Sequence, residues 1–435
     1  MGMGPGIPLY AFSETVYLRA MSRVIAHLDM NSFFVSCERL VDPTLVGKPV
    51  VVGGRKGERG VACSASYEAR AFGVRSGMPL RTAEKLCPQA LFVPGRHKLY
   101  SKYSRKVYAL LRRLSPIVEY ASIDEFFLDL SGCEAMYDND LRAMAGKIRQ
   151  AVFDRTKLQC TVAVAGNKYT AKIAGKTVKP DSKPLPGFSP GTIVVDPGQE
   201  EAFLAPLSIE RLHGLGEKTL PKVKALGIET IGDLRRLSPT QLTRAFGKSG
   251  GEWFHDACRS LDDAEVVETH EAKSVGNETT FDRDTSEPAE VARTLSWLSE
   301  KSCYRLRRIG KKARTVTLKL RYENFETLTR AKAVEPTNDD AVVSKVAGDL
   351  FREAYSSRRK IRLLGVTLSK FEAAGEEAGW LFQAMDTTKK DALLKAADTV
   401  KRRYGFHKLE KASSLDAQGP KPDGGPSSFE KPKIS

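Results

Sequence analysis

Two adjacent carboxylates, Asp124 and Glu125, interrupt an otherwise apolar run, Tyr120-Ala-Ser-Ile-Asp-Glu-Phe-Phe-Leu-Asp-Leu130. The flanking Ile117, Val118, Ile123, Phe126, Phe127 and Leu128 have strand composition, and Ser131-Gly132 closes the run. Neighbouring side chains of a regular strand point to opposite faces, so both acids serve one site only if the chain bends there. Burying them also requires a cation or hydrogen bonds. Taken alone, the pair suits a polar turn between two core strands. A second segment changes that reading. Val24-Ile-Ala-His-Leu-Asp-Met-Asn-Ser-Phe-Phe34 begins as a strand, ends in polar turn residues and continues as a helix from Val35. Asp29 at the end of that strand either caps the helix or holds a cation, while free N–H groups of the turn receive phosphate oxygens.

Tyr67 and Arg70 are three apart and share a helix face, a hydroxyl beside a guanidinium that can grip phosphate bidentately. A surface arginine packed over a tyrosine ring is the alternative. Lys168, Lys172, Lys176 and Lys179 recur along one face of a basic helix that follows the strand Cys160-Thr-Val-Ala-Val-Ala165. Such a stripe is usually a solvated face, but a strand lying beside the acidic turn gives it a phosphate role. Three convergent carboxylates facing a phosphate clamp are what two-metal phosphoryl transfer needs, with Mg²⁺ held by a few carboxylates plus substrate phosphates. That chemistry belongs to a nucleotidyl transferase or to a nuclease.

The elements that must position these groups are spread over a chain of 435 residues, long enough for about two to four domains. Hydrophobic residues make up 41% and charged residues 28%, a globular balance, and the net charge of +16 favours a polyanionic partner, nucleic acid first. No apolar run approaches the ~20 residues that span a bilayer, so no membrane role is expected. The seven cysteines are scattered without a C-x-x-C pair, which suits free thiols in a reducing, cytoplasmic setting. Residues 1–22 lack the basic start and clean apolar core of a signal peptide and read as a disordered leader.

Pro184-Leu-Pro-Gly-Phe-Ser-Pro-Gly191 is a hinge and marks a boundary. Beyond it, two short helices joined by Gly214-Leu-Gly216 form a helix–hairpin–helix whose backbone can approach a phosphate, with Lys218 nearby. Phe246-Gly-Lys-Ser-Gly-Gly251 reads as a looser glycine turn ahead of a helix containing Trp253, and the acidic residues 260–275 read as a linker. Strands at 313–322, 327–330 and 361–369 with a helix at 291–309 form a further domain, one strand face carrying Thr315, Thr317, Lys319 and Arg321. From about residue 375 the chain reads as a tail with a basic helix near 389–404.

Asp29-Met-Asn-Ser-Phe-Phe34, Ser66-Tyr-Glu-Ala-Arg70, Ser122-Ile-Asp-Glu125, Ala171-Lys-Ile-Ala174 with Lys179-Pro180, and Gly214-Leu-Gly216 together resemble the motif set of Y-family DNA polymerases, particularly the bacterial polymerase IV group. The resemblance runs in order over roughly residues 23–371. It implies an α+β multidomain right hand: an antiparallel-sheet palm (23–32 and 97–186), small fingers (33–96), a helical helix–hairpin–helix thumb (187–259), a linker (260–274), an α/β little finger (275–371) and a C-terminal tail (372–435). It implies error-prone, template-directed DNA synthesis in translesion synthesis and repair, with two Mg²⁺ ions, primer–template DNA and deoxynucleoside triphosphates, by a monomer. Asp29, Asp124 and Glu125 would then be catalytic metal ligands, with the Met30 carbonyl. Ser64, Tyr67, Arg70 and Lys179 would hold the triphosphate, Phe34 would gate the sugar, and Gly214, Gly216 and Lys218 would grip DNA. A sliding clamp is a further implied partner, through a Gln-x-x-Leu-Phe type peptide. The matching window, Ala378-Gly-Trp-Leu-Phe382, lacks the glutamine but keeps Trp380, Leu381 and Phe382. A non-catalytic DNA-binding relative would have lost the carboxylates, which this chain keeps, and a nuclease would have no use for a sugar gate.

Overall fold

The computed structural model describes residues 23–181, 191–356, 359–373 and 384–415. The expected leader 1–22, the loop 183–190 and the clamp peptide Trp380-Leu381-Phe382 lie outside the described residues. The chain divides into two compact units, the first running to His270 and the second starting at Glu271.

The first unit is built on β1 (Ile25–Met30), which enters α1 (Phe33–Val41) through Ser32, a residue held at a left-handed φ of 42°. A small sheet follows: β2 (Val50–Val52), β3 (Ser64–Ala65), α2 (Tyr67–Ala71), α3 (Leu80–Leu86) and β4 (Leu91–Val93), with strand order β3-β2-β4. The chain returns through α4 (His97–Leu111), β5 (Ile117–Tyr120), β6 (Glu125–Asp129), α5 (Leu141–Thr156), β7 (Cys160–Ala165), α6 (Lys168–Thr177) and β8 (Thr192–Val194). The main sheet has the order β5-β6-β1-β7-β8. Its pairings are antiparallel, as expected of the palm, except for β7–β8 at one edge, which is parallel. The reason is the connection: α6 crosses between β7 and β8, and a helical crossover returns the chain in the same direction where a hairpin reverses it.

β1 is central and every one of its residues is buried. Alternation splits it by face. Ala26, Leu28 and Met30 join Tyr100, Val107, Leu111, Met144 and Ile148 in the core beneath α4 and α5. Ile25, His27 and Asp29 point the other way, and Ile25 packs with Phe127 and Val266. Val266 belongs to the acidic segment read as a linker. Residues 260–270 are in fact pinned along the sheet: the Asn167 side chain donates to the Ser260 carbonyl at 3.0 Å, the Tyr169 N–H to Asp262 at 2.9 Å, and buried Glu119 accepts from the Val267 N–H at 3.1 Å. Lys168 and His270 also reach Glu119, at 2.6 and 3.0 Å.

In chain order, β8 and this strap are separated by α7 (Glu200–Leu204), α8 (Leu220–Lys224), α9 (Ile231–Arg235), α10 (Pro239–Phe246) and α11 (Lys248–Ala257), with a separate core of Leu204, Ile209, Val223, Leu234, Leu242 and Phe254. The first helix expected ahead of Gly214 is only a 3-10 turn, Ile209–Arg211. Gly214 takes a φ of +99°, which no continuing helix allows, and the Trp253 ring lies 2.5 Å from where its Cβ would stand. The looser glycine turn expected at 246–251 is confined to Gly247, since α11 already starts at Lys248.

The second unit contains β9 (Ser274–Thr285), α12 (Pro288–Arg308), β10 (Lys311–Tyr322), β11 (Thr327–Thr337), α13 (Asp340–Ala354) and β12 (Ile361–Ala373). Its sheet is antiparallel in the order β11-β10-β12-β9, and Val316, Leu318 and Leu320 of β10 face a core that includes Trp297, Leu298 and Phe281. The segment read as a tail carries α14 (Ala384–Tyr404), which is tied down: buried Lys401 pairs with buried Glu300, and Arg307 grips Asp398 through two bonds of 2.7 and 2.8 Å. Charged residues that pair across helices look, in sequence, like a solvated face. No helix among the described residues is long and apolar enough to cross a membrane.

Candidate active site

The end of β1 and the start of β6 face each other in register, Asp29 opposite Glu125. The chain between β5 and β6 turns tightly, with the N–H groups of Ala121 and Ser122 both donating to the Glu125 carbonyl at 3.1 Å. The Met30 N–H donates to the Asp124 carbonyl at 2.9 Å and fixes the bend against β1. This is the break in alternation that the adjacent acids require. Asp29, Asp124 and Glu125 line one cavity together with Met30, Ser32, Phe34, Ser64, Arg70 and Lys179. The cavity holds about 460 Å³ of non-atom space, open solvent at its mouth included. Eight of the residues singled out from sequence meet there, from segments between residues 29 and 179.

The electrostatics follow from burial. Asp29 is pushed above the usual carboxylate range by burial, against the pull of Lys179, whose Nζ lies 2.7 Å from its Oδ1. Burial likewise pushes Asp124 up, against a 2.7 Å hydrogen bond from Ser122. Glu125 goes the other way: burial acts upward, but His27 and Lys172 outweigh it and hold the carboxyl well below its ordinary value. Lys172 donates to Glu125 at 2.9 Å. Arg70 pairs with Asp181 at 2.9 Å, and its Nε donates to the Ala65 carbonyl at 3.1 Å. The Tyr67 and Ser32 hydroxyls are buried without a hydrogen-bond partner, and burial pushes the Tyr67 phenol up to about 12, so it keeps its proton as a donor. Two orphaned hydroxyls beside a guanidinium fit phosphate oxygens.

The lysine stripe divides its labour. Lys168 goes to Glu119 behind the site and Lys172 to Glu125. Lys176 lies 3.2 Å from Nδ1 of His213, next to Gly214, and burial with Lys176 and Lys172 pushes that imidazole down to about 4, leaving it neutral. Phe34 stacks on Tyr100 at a ring separation of 4.2 Å and closes one wall of the cavity. Gly214, Gly216 and Lys218 are solvent-facing, and the N–H groups of Gly216, Glu217 and Lys218 make no hydrogen bond among the described residues.

The three carboxylates are all-oxygen donors of the kind Mg²⁺ takes, with the cavity open for phosphate, so the residues fit a divalent-cation site. Among the described residues, the group of potential ligand atoms close enough to share one ion is nevertheless His27, Asp29 and Glu125, within 4.8 Å of one another, while Asp124 stands with Ser122. His27 went unnoticed in the sequence because it sits inside an apolar strand. Its signal was its place two residues before Asp29, on the same strand face.

Comparison with known proteins places these residues in a family. Residues 28–176 match the impB/mucB/samB family, residues 272–380 its C-terminal domain, and residues 210–262 a DNA polymerase-iota thumb domain. The chain is 38% identical over 390 residues to a DNA polymerase IV of Dehalococcoides mccartyi strain CBDB1, covering 89% of this chain and 96% of that one. It is 39% identical to a DNA polymerase IV of Alkalilimnicola ehrlichii, covering 80% and 95%. Among solved structures, a Y-family DNA polymerase chimera of Dbh and Dpo4 superposes with a TM-score of 0.69 at 26% identity, covering 80% of this chain and 99% of that one. An insertion ternary complex of Dbh DNA polymerase gives 0.57 at 27%, with the same coverage.

Proposed function

The chain belongs to the Y-family DNA polymerases, within the polymerase IV group, and we propose that it extends a primer 3′ end by two-metal phosphoryl transfer during translesion synthesis and DNA repair. One observation carries this reading: three carboxylates, the guanidinium of Arg70 and a bulky Phe34 line a single cavity. In this reading the palm comprises 23–32 and 97–186 and, against the expected boundary at 187, also the strand Thr192–Val194 that pairs with β7; the thumb takes the helices that follow up to 259, the fingers 33–96 and the little finger 275–371, with 260–274 between thumb and little finger.

Asp29, Asp124, Glu125 and the Met30 carbonyl would hold two Mg²⁺ ions, which when bound neutralise the triphosphate and acidify the primer hydroxyl. The chain's own groups do the rest. Arg70, Tyr67, Ser64 and Lys179 bind the incoming triphosphate, displacing the Arg70–Asp181 and Lys179–Asp29 pairs that neutralise them in its absence. The primer 3′ hydroxyl gives up its proton to solvent as its oxygen attacks the α-phosphorus, a new P–O bond forms, the bond to the bridging oxygen breaks, and the β- and γ-phosphates leave together as pyrophosphate. Positioning and charge stabilisation account for such catalysis, because little covalent work falls to the protein. Phe34, braced by Tyr100, sits where a ribose 2′-hydroxyl would need room. The exposed N–H groups at 216–218 and Lys218 hold the duplex backbone without reading sequence.

Primer extension with Mg²⁺ tests the reading. Wild type should extend, and Asp124→Asn should lose on the order of a thousandfold or more. Failure of wild type to extend would favour a non-catalytic DNA-binding protein, and primer shortening a nuclease. Phe34→Ala should raise ribonucleotide incorporation relative to deoxyribonucleotide; unchanged sugar discrimination would remove Phe34 from the gate.

A further inference from the structure

His27 is a buried polar group that lowers the Glu125 carboxyl but to which the polymerase reading gives no step. It is 1% exposed, and neither ring nitrogen has a hydrogen-bond partner. A buried imidazole whose nearest carboxylate, Glu125, stands at 3.5 Å, beyond a normal hydrogen bond, is under-satisfied at a cost of up to about 1–3 kcal/mol, and in a central strand it calls for something that satisfies it. Its surroundings fix where it points. The ring packs on Phe127 at 4.9 Å, and Gly175 of α6 brings its backbone so close that a Cβ there would stand 3.0 Å from Nδ1. The other nitrogen, Nε2, faces the cavity carboxylates and lies 3.5 Å from Oε1 of Glu125. Lys172 and Lys179 occupy Oε2 of Glu125 and Oδ1 of Asp29, so the Glu125 oxygen nearest the imidazole is the one without a lysine.

We propose that His27, Asp29 and Glu125 form a mixed nitrogen–oxygen site that binds a transition-metal dication such as Mn²⁺, Co²⁺ or Zn²⁺ in preference to Mg²⁺. The three ligand atoms lie within 4.8 Å of one another. Ligands of one tetrahedral ion with ~2.1 Å bonds stand about 3.4 Å apart, so the set must draw in by on the order of 1 Å to close on an ion, a movement within reach of side-chain rotation. Imidazole nitrogen suits Mn²⁺, Co²⁺ and Zn²⁺, whereas Mg²⁺ takes oxygen and gives up water reluctantly. The site shares Asp29 and Glu125 with the proposed Mg²⁺ pair but does not use Asp124. A transition ion held there competes for two of the three catalytic carboxylates, which makes this site a point of metal discrimination, and of inhibition, within the polymerase centre.

The test uses the full chain without DNA or nucleotide, with Mn²⁺ and Co²⁺ alone as probes and Mg²⁺ as competitor. One Mn²⁺ per chain should bind with nitrogen coupling in its electron spin-echo spectrum, and that coupling should change when the protein is grown with ¹⁵N-imidazole histidine. His27→Leu should weaken Mn²⁺ and Co²⁺ binding by roughly tenfold or more, as removal of a metal-site partner does, while Mg²⁺ binding shifts less than about twofold. Asp124→Asn should keep the nitrogen-coupled ion although it abolishes extension, which separates this proposal from the catalytic one. Bound Mn²⁺ without nitrogen coupling in the wild type overturns the proposal, whether or not His27→Leu folds. Equal Mn²⁺ affinity in a folded His27→Leu does so too.

Discussion

Buried charge is handled in opposite ways in the two units. In the second, Lys401 and Glu300 are 4% and 3% exposed, touch each other, and are closed off by Ser414, whose hydroxyl donates to Glu300 at 3.2 Å. In the first, Asp29, Asp124 and Glu125 border an open cavity, and the lysines that meet two of them, Lys179 and Lys172, are themselves 20% and 18% exposed. The closed pair neutralises itself permanently. The open set holds its charges against loosely placed cations that a metal ion or a triphosphate can displace. Burial without closure keeps a group available for chemistry.

The largest test of this contrast is Lys401→Met. It strands Glu300 as an uncompensated buried charge, and breaking such a pair typically costs ~3–5 kcal/mol. Thermal unfolding should show a lower transition for the second unit, whereas the double substitution Lys401→Met with Glu300→Leu should recover most of the loss. Single-nucleotide insertion at a temperature where the variant is folded should stay near wild type, because neither residue lines the cleft. A loss of insertion without a loss of stability would break the contrast.

Glu119 lies between the two cases. It is buried and closed like Glu300, yet its partners Lys168, Val267 and His270 tie a strap rather than a core. Burial acts to raise its carboxyl, but those donors outweigh it and hold it below the usual range. With the folded value lowered, its stabilisation is complete above the unfolded value of about 4.5 and is lost as the pH falls through the lower folded one. Glu119→Gln should loosen residues 260–270 at neutral pH by about 1–3 kcal/mol, read as faster hydrogen exchange or proteolytic nicking there. Protection unchanged from wild type would mean that Val266 and Asn167 hold the strap alone.

These regions differed in how far the sequence revealed them. The carboxylates of the cleft were readable because acids inside apolar strands contradict their surroundings, and their order along the chain with Arg70, Lys179 and Phe34 matched a family. Helix α6 was readable by its lysine spacing, but not the division of those lysines among Glu119, Glu125 and His213, which depends on partners far away in sequence. The strap read as a linker because Leu261, Val266 and Val267 among acids show no periodicity, and its anchors Glu119 and Asn167 carry no mark of it. Helix α14 read as a tail because Asp398 and Lys401 look solvated until Arg307 and Glu300 are placed beside them. His27 was hidden by the opposite effect, a polar residue in a strand too apolar for one imidazole to draw notice. β8, only Thr192–Val194, follows a Pro/Gly hinge and is too short for any pattern to declare its direction.

The smallest expected effect is also the sharpest, because it should have the opposite sign to Lys401→Met. Burial pushes the Asp124 carboxyl above the ordinary aspartate value of 3.8, with Ser122 only partly opposing. A carboxylate raised in the folded state costs stability while charged, and that cost is relieved as the pH falls through the folded value and the group takes up a proton. Asn mimics the protonated form and can keep the Ser122 hydrogen bond. At neutral pH and without metal, Asp124→Asn should therefore melt higher than wild type, on the order of 1–3 °C, the usual direction when an uncompensated buried charge is neutralised. The gap should shrink as the pH drops toward 4, and Mg²⁺ should reverse it by stabilising only the protein that retains the carboxylate. A lower melting temperature for Asp124→Asn in the absence of metal would show that Asp124 is compensated within the fold, like Glu300, and that the cleft does not hold its charge in reserve.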